Sequence, residues 1–152
     1  MALPNIFSKE VCDSIIQRLN QIQPDSKPNW GTMNASQMMA HCCVTYEMAF
    51  ENIHKQPPAI VRFFLRKFVK PMIVNEKKYG KNLKTAKEFI IADDKEFDKE
   101  KTRLIAYINK AKDLGPEYFE GKPSLIFGKL TSVEWNNMFI KHLEHHLEQF
   151  DA

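Results

Sequence analysis

A chain of 152 residues suffices for one domain around a single packed core, and 43% hydrophobic with 27% charged residues are the proportions of an ordinary globular protein. A formal charge of +3 is too small to make phosphate-backbone binding the main activity, so no nucleic acid and no membrane surface is expected as a partner. No segment approaches the length of a transmembrane helix and the first residues lack a basic start followed by an apolar run, while the cysteines (Cys12, Cys42, Cys43) are odd in number with two adjacent, which fits packing thiols in a reducing, cytoplasmic setting.

Four long helical segments follow from the apolar spacing, and no convincing strand does. The first has Ser8 as its N-cap, carries Val11, Ile15, Leu19 and Ile22 at helical intervals, and stops before Pro24. A polar, proline-bearing loop leads to Trp30, which is expected to plug the bundle beside the next helix, a place in a pocket wall being the lesser alternative.

The second helix begins at Asn34 with Gln37 in the capping-box position and runs to about Ile53, its inner stripe passing through Asn34, Met38, His41, Thr45 and Met48. Residues 56–92 then form a long connection, unusual unless it has structure of its own, in which residues 60–69 read as a short amphipathic helix. Its phenylalanines Phe63, Phe64 and Phe68 are expected to cover one end of the bundle while Arg62, Arg66, Lys67 and Lys70 stay wet, the lesser alternative being that this basic and aromatic segment serves a membrane surface or nucleic acid. Lys77, Lys78, Lys81, Lys84 and Lys87 form a spread basic run, solvated and able to attract an anionic substrate.

The third long helix opens at Asp93 with Glu96 as box partner, buries Phe97, Leu104, Ile105, Ile108 and Ala111, and closes at Gly115-Pro116. The fourth starts with the capping box Thr131-Ser132-Val133-Glu134 and reaches the C-terminus. The whole of residues 1–152 thus reads as one all-α domain, a four-helix bundle with a long crossover between helices two and three.

The last helix holds the most chemistry. His142 and His146 lie four residues apart on the stripe of Trp135, Met138, Phe139 and Phe150, so both imidazoles face the interior from adjacent turns. His41, on the inner stripe of the second helix, supplies a third ring. Three neutral imidazoles around a divalent ion leave a coordination position open, as in a catalytic site, and leave the ion its full charge, which favours an anionic further ligand such as hydroxide, thiolate or carboxylate. The competing reading is that core histidines are hydrogen-bonded packing residues and that an i,i+4 pair is a weak motif. Thr45, one turn beyond His41, and His145, beside the stripe, are placed to orient the rings, whereas His54 near a helix end reads as a surface residue.

The block from Trp30-Gly31-Thr32-Met33-Asn34 to His41, the segment Tyr79-Gly80-Lys81-Asn82-Leu83-Lys84-Thr85, the turn Phe127-Gly128-Lys129-Leu130-Thr131 and the helix from Trp135 to Phe150 resemble the DinB-like superfamily of metalloenzymes, within it the domain of unknown function family 1569. The resemblance implies a four-helix bundle of the DinB-like type. It also implies a divalent metal ion, most often nickel or zinc, held by His41, His142 and His146. Relatives include thiol-dependent transferases and isomerases that use bacillithiol, mycothiol or glutathione, so a small-molecule substrate, a low-molecular-weight thiol among the candidates, is the expected partner, with a homodimer left open. Relatives carry a histidine-proline pair before the phenylalanine-glycine turn, and here Ser124 stands where that histidine would fall. The functional expectation is a thiol-dependent S-transferase or metal-assisted hydrolase, and its rival a non-catalytic ligand-binding or stress-linked interaction module.

Overall fold

The computed structural model describes residues 2–152, and helices dominate it. Three helix starts are set by side-chain caps. The Ser8 hydroxyl accepts from the Val11 amide to open α1 (Lys9–Gln21). Asn34 and Gln37 exchange hydrogen bonds at 2.9 and 3.1 Å to open α2 (Ala35–Phe50). Thr131 and Glu134 do the same at 3.2 and 3.0 Å for α6 (Ser132–Gln149). Each pair satisfies amide donors that the first helical turn leaves without partners.

The segment between α2 and the next long helix is helical over residues 59–74, as α3 (Ala59–Phe64), a π-helical turn (Leu65–Val69) and α4 (Lys70–Val74). It then runs irregularly to a 3₁₀ turn at Lys87–Phe89. The phenylalanines expected to cover the bundle end instead stand in solvent, with Phe63 58%, Phe64 51% and Phe68 65% exposed. The helical period explains this: Leu65, Val69 and Ile73, four apart, turn inward, which leaves Phe64 and Phe68 on another face.

The third long helix, α5 (Phe97–Phe119), starts three residues later than its capping box suggested, with Glu96 itself at the cap position and no side-chain cap. The Asp93 carboxylate is taken by Lys95 at 2.8 Å and its carbonyl by Gln37 at 3.2 Å, so that stretch stays extended. At the other end Gly115 adopts φ 71°, ψ 173° and interrupts the helix as expected, yet a further turn follows from Pro116 to Phe119. Burial of Phe119 against Phe7 and Trp135 holds that turn in place, and Pro116 is tolerated where a turn begins. Likewise α2 ends at Phe50, short of Ile53. Between α5 and α6 lies one element the sequence did not announce, a two-residue antiparallel hairpin of β1 (Pro123–Ser124) and β2 (Gly128–Lys129), too short for alternation to show.

The four long helices α1, α2, α5 and α6 share one core. Its centre is aromatic: Tyr46 stacks on Phe139 at 4.6 Å, Trp135 lies 5.4 Å from Phe139, and Phe119 meets Phe139 edge-on at 5.5 Å. All three cysteines are free and buried. No helix among the described residues is long and apolar enough to cross a membrane.

The helix α6 also ties down the irregular parts of the chain. Lys141, buried, donates from Nζ to the carbonyls of Met72 (2.7 Å) and Ile73 (3.1 Å) and to Asn75 Oδ1 (2.9 Å), while Asn137 Nδ2 donates to the Val74 carbonyl at 2.9 Å. These bonds cap the C-terminal carbonyls of α4. Asn136 accepts from the Ile6 amide and donates to the Pro4 carbonyl, which fixes the N-terminal segment. Because Phe139 sits fully buried in the aromatic centre, Phe139→Ala is expected to cost about 3–5 kcal/mol, read as a lowered urea midpoint with an unchanged slope.

Candidate metal centre

His41 on α2 and His142 and His146 on α6 converge: one ring nitrogen from each lies within 4.8 Å of the other two. Ring centroids are 4.8 Å apart for His41 and His142, 4.6 Å for His41 and His146, and 4.8 Å for His142 and His146. Nitrogens sharing a tetrahedral ion at 2.0–2.1 Å are about 3.3 Å apart, so small ring movements bring this group to ligation distance.

The outer nitrogens say which atoms are free. His41 Nδ1 lies 2.8 Å from the Phe89 carbonyl, which can only accept, so that nitrogen carries the proton and Nε2 keeps its lone pair. His146 Nδ1 lies 2.7 Å from Gln149 Oε1, and the Gln149 amide is oriented by donating from Nε2 to the Trp30 carbonyl at 2.6 Å. His146 is thereby fixed as the same tautomer. His142 Nδ1 lies 3.0 Å from Thr45 Oγ1, a hydroxyl able to donate or accept, and His142 Nε2 is 2.9 Å from His41 Nε2. Every Nδ1 is therefore held by an oxygen, and the Nε2 atoms are left as the ligating set. Partners of this kind orient metal-binding imidazoles and raise their basicity.

Burial keeps the rings neutral. His146 is pushed down to about 3 by burial and then by His41; His142 is held well below its ordinary value by burial and its neighbouring histidines, and His41 is lowered chiefly by burial. Neutral imidazole is the form a metal ion needs.

The three rings stand in the wall of a cavity of about 600 Å³. Its sides are Leu65, Val69 and Ile73 from the connection, Leu125 and Phe127 from the hairpin, and Met138 from α6. Trp30 belongs to this wall, the lesser of its two expected places, and Met33 and Met48 line it rather than filling the core. No carboxylate lines it among the described residues, and Lys84 is its one charged side chain apart from the histidines.

Thr45 stands where the sequence suggested, against His142. His145 is half-buried, its ring edge-on to Trp30, Tyr79 and His146 rather than in the convergent group. His54 is not a simple surface residue: its Nε2 lies 2.7 Å from the buried Glu47, which Arg103 also pairs, a network remote from the cavity. Ser124 is buried and its hydroxyl accepts from the Phe127 amide at 2.7 Å. Sequence reasoning missed the Phe89 carbonyl, which sits 48 residues from His41 at the end of a single 3₁₀ turn and left no signal. Gln149 could have been found, being three residues after His146 on the same helix.

Compared with known families, the chain matches the model of a family described as a protein of unknown function (DUF1569) over residues 8–152. No curated protein and no solved structure matches it.

The lowered histidines make a pH prediction. The unfolded chain binds protons on these rings near 6.5 and the folded chain does not, so stability falls as pH drops below about 6.5 and continues to fall toward the folded value, about 3 for His146. By pH 5.5 His146 alone should cost on the order of 1 kcal/mol, with His41 and His142 adding in the same direction. Urea midpoints of chelator-treated protein between pH 7.5 and 5.5 should show this decline, and an unchanged midpoint would contradict it.

Proposed function

We propose that this chain, which belongs to the DUF1569 family, binds one divalent metal ion through the Nε2 atoms of His41, His142 and His146 and acts on a small molecule held in the adjoining cavity. In this reading α1, α2, α5 and α6 are a four-helix bundle of the DinB-like type, and the segment between α2 and α5 is its crossover. Nickel and zinc are the ions expected, since imidazole suits both. The observation that carries the reading is the set of three Nδ1 atoms, each held by an oxygen, which leaves three Nε2 atoms on one cavity wall.

When bound, the ion would supply Lewis-acid chemistry, lowering the pKa of a water or thiol and polarising a substrate oxygen. The residues around it define the rest. His41 and His146 present their lone pairs without rearrangement, because Phe89 and Gln149 already hold the opposite protons. Thr45 accepts the Nδ1 proton of His142 when that ring turns its own lone pair inward.

The nucleophile has to come from outside the chain. Ser124 is engaged in its turn, and the cysteines lie in the core, with Cys43 raised to about 12 and Cys42 well above its ordinary value by burial. A water or a low-molecular-weight thiol fills that role, which makes the reaction a hydrolysis or an S-transfer. A second reading, a ligand-binding or stress-linked interaction module without turnover, is favoured by Ser124 alone: it stands where relatives carry a histidine, and its hydroxyl caps a turn instead of moving a proton. The buried free thiols accord with a reducing, cytoplasmic setting.

Protein purified without chelators should carry about one ion per chain by elemental analysis, and His142→Ala should lose it while keeping its helical circular dichroism. Thr45→Val should weaken the ion about tenfold. Ion-free wild-type protein after reconstitution with nickel and with zinc would defeat the reading. With the ion loaded, turnover of a thiol with an electrophile, or of an ester with water, separates the enzyme from the binding module.

A further inference from the structure

The walls of the cavity say what kind of molecule it takes. The three imidazoles with Thr45 and Gln149 form one polar cluster and Asn82, Lys84 and Thr85 add polar side chains from the connection, while Leu65, Val69, Ile73, Leu125 and Phe127 present an unbroken carbon wall. At about 600 Å³ the space is that of a small-molecule site and far exceeds a single water. Amides or carboxylates set against these five residues would meet no polar side chain, a costly arrangement. The wall therefore belongs to an apolar portion of the bound molecule.

Charge chooses the head of that molecule. An imidazole ligand brings no negative charge to an ion, no carboxylate lines the cavity among the described residues, and Lys84 adds a positive charge to the wall. An ion held by such a set keeps its two charges uncompensated. A negatively charged head satisfies this and a cationic one opposes it.

We infer that the site binds an amphiphilic monoanion: a carboxylate-type head at His41, His142 and His146, and an aliphatic body lying along Leu65, Val69 and Ile73 and against Leu125 and Phe127. The inference rests on the metal reading above and specifies the substrate class of that same site.

Isothermal titration of metal-loaded protein, its metal content measured beforehand, tests both parts. Butyrate, hexanoate and octanoate should bind in rising order, each added methylene tightening the complex about three- to fourfold. Octylammonium should bind at least about tenfold more weakly than octanoate, since the ion repels its head. Val69→Trp, which fills the cavity away from the histidines, should flatten the chain-length series while the metal content stays at the wild-type level. A flat series in the wild-type protein, a Val69→Trp series as steep as wild type, or octylammonium binding as tightly as octanoate, each with the ion retained, overturns this inference and leaves the metal reading standing. Protein that retains no ion removes the metal reading and this inference with it.

Discussion

A helix rich in polar residues can be buried only if each polar atom it carries inward finds a partner, and α6 meets that condition on several sides at once. Asn136, Asn137, Lys141, His146 and Gln149 are all buried, and their partners lie in four separate parts of the chain: the N-terminal segment, α4 and the residue after it, the Trp30 loop and α6 itself. Lys141 shows the stakes. Burial lowers its pKa to about 8, and its ammonium is stabilised there by two backbone carbonyls and the Asn75 side chain. Since those carbonyls end α4, the charge that would otherwise be a liability becomes the cap that holds the connection against the bundle.

The cavity depends on that arrangement. Its inner floor is the histidine face of α6 and its outer wall is the helical segment 59–74, and α6 supplies both two of the three rings and the lysine that holds the wall in place. A small glycine completes the fit. Gly31 adopts φ 82°, and a Cβ there would stand 2.8 Å from Gln149 Nε2, the amide that donates to the Trp30 carbonyl and so sets the His146 tautomer. The Trp30 loop can approach α6 this closely only without a side chain at that position.

How much of this was legible depends on the range of the interaction. The starts of α1, α2 and α6 are written within four residues, as a serine cap and two capping boxes, and they read correctly. So did the convergence of His41 with the His142 and His146 pair: four-residue spacing sets the pair on one face of α6, while α2 is buried on nearly every face, so its spacing alone does not single out His41. The start of α5 misled, since Asp93 looks like a cap but its carboxylate and carbonyl are spent on Lys95 and Gln37. The phenylalanines of the connection misled too: counting them as apolar did not reveal that Leu65, Val69 and Ile73 would claim the inner face. Nothing in the sequence marks the role of Lys141, because its carbonyl partners lie 68 and 69 residues away and no side-chain pattern marks a carbonyl.

The short contact between His41 and His142 ties the site's stability to its chemistry. Two imidazole lone pairs facing each other at 2.9 Å would repel, so something positive must lie between them, either a proton or a metal ion. His41 cannot provide the proton, because the Phe89 carbonyl holds its Nδ1–H and burial keeps the ring from taking a second. His142 can: with the proton on Nε2 it bonds His41 and accepts at Nδ1 from the Thr45 hydroxyl, and with the proton on Nδ1 it donates to Thr45 and frees Nε2. The first satisfies every group by itself and the second does so once an ion takes the two Nε2 lone pairs, and they differ by one proton shift and the rotation of a hydroxyl. A valine in place of Thr45 would fill similar space but leave His142 Nδ1 without a partner in either state. A hydroxyl that both donates and accepts is therefore what lets one buried cluster serve as a bonded core and as an open set of ligands.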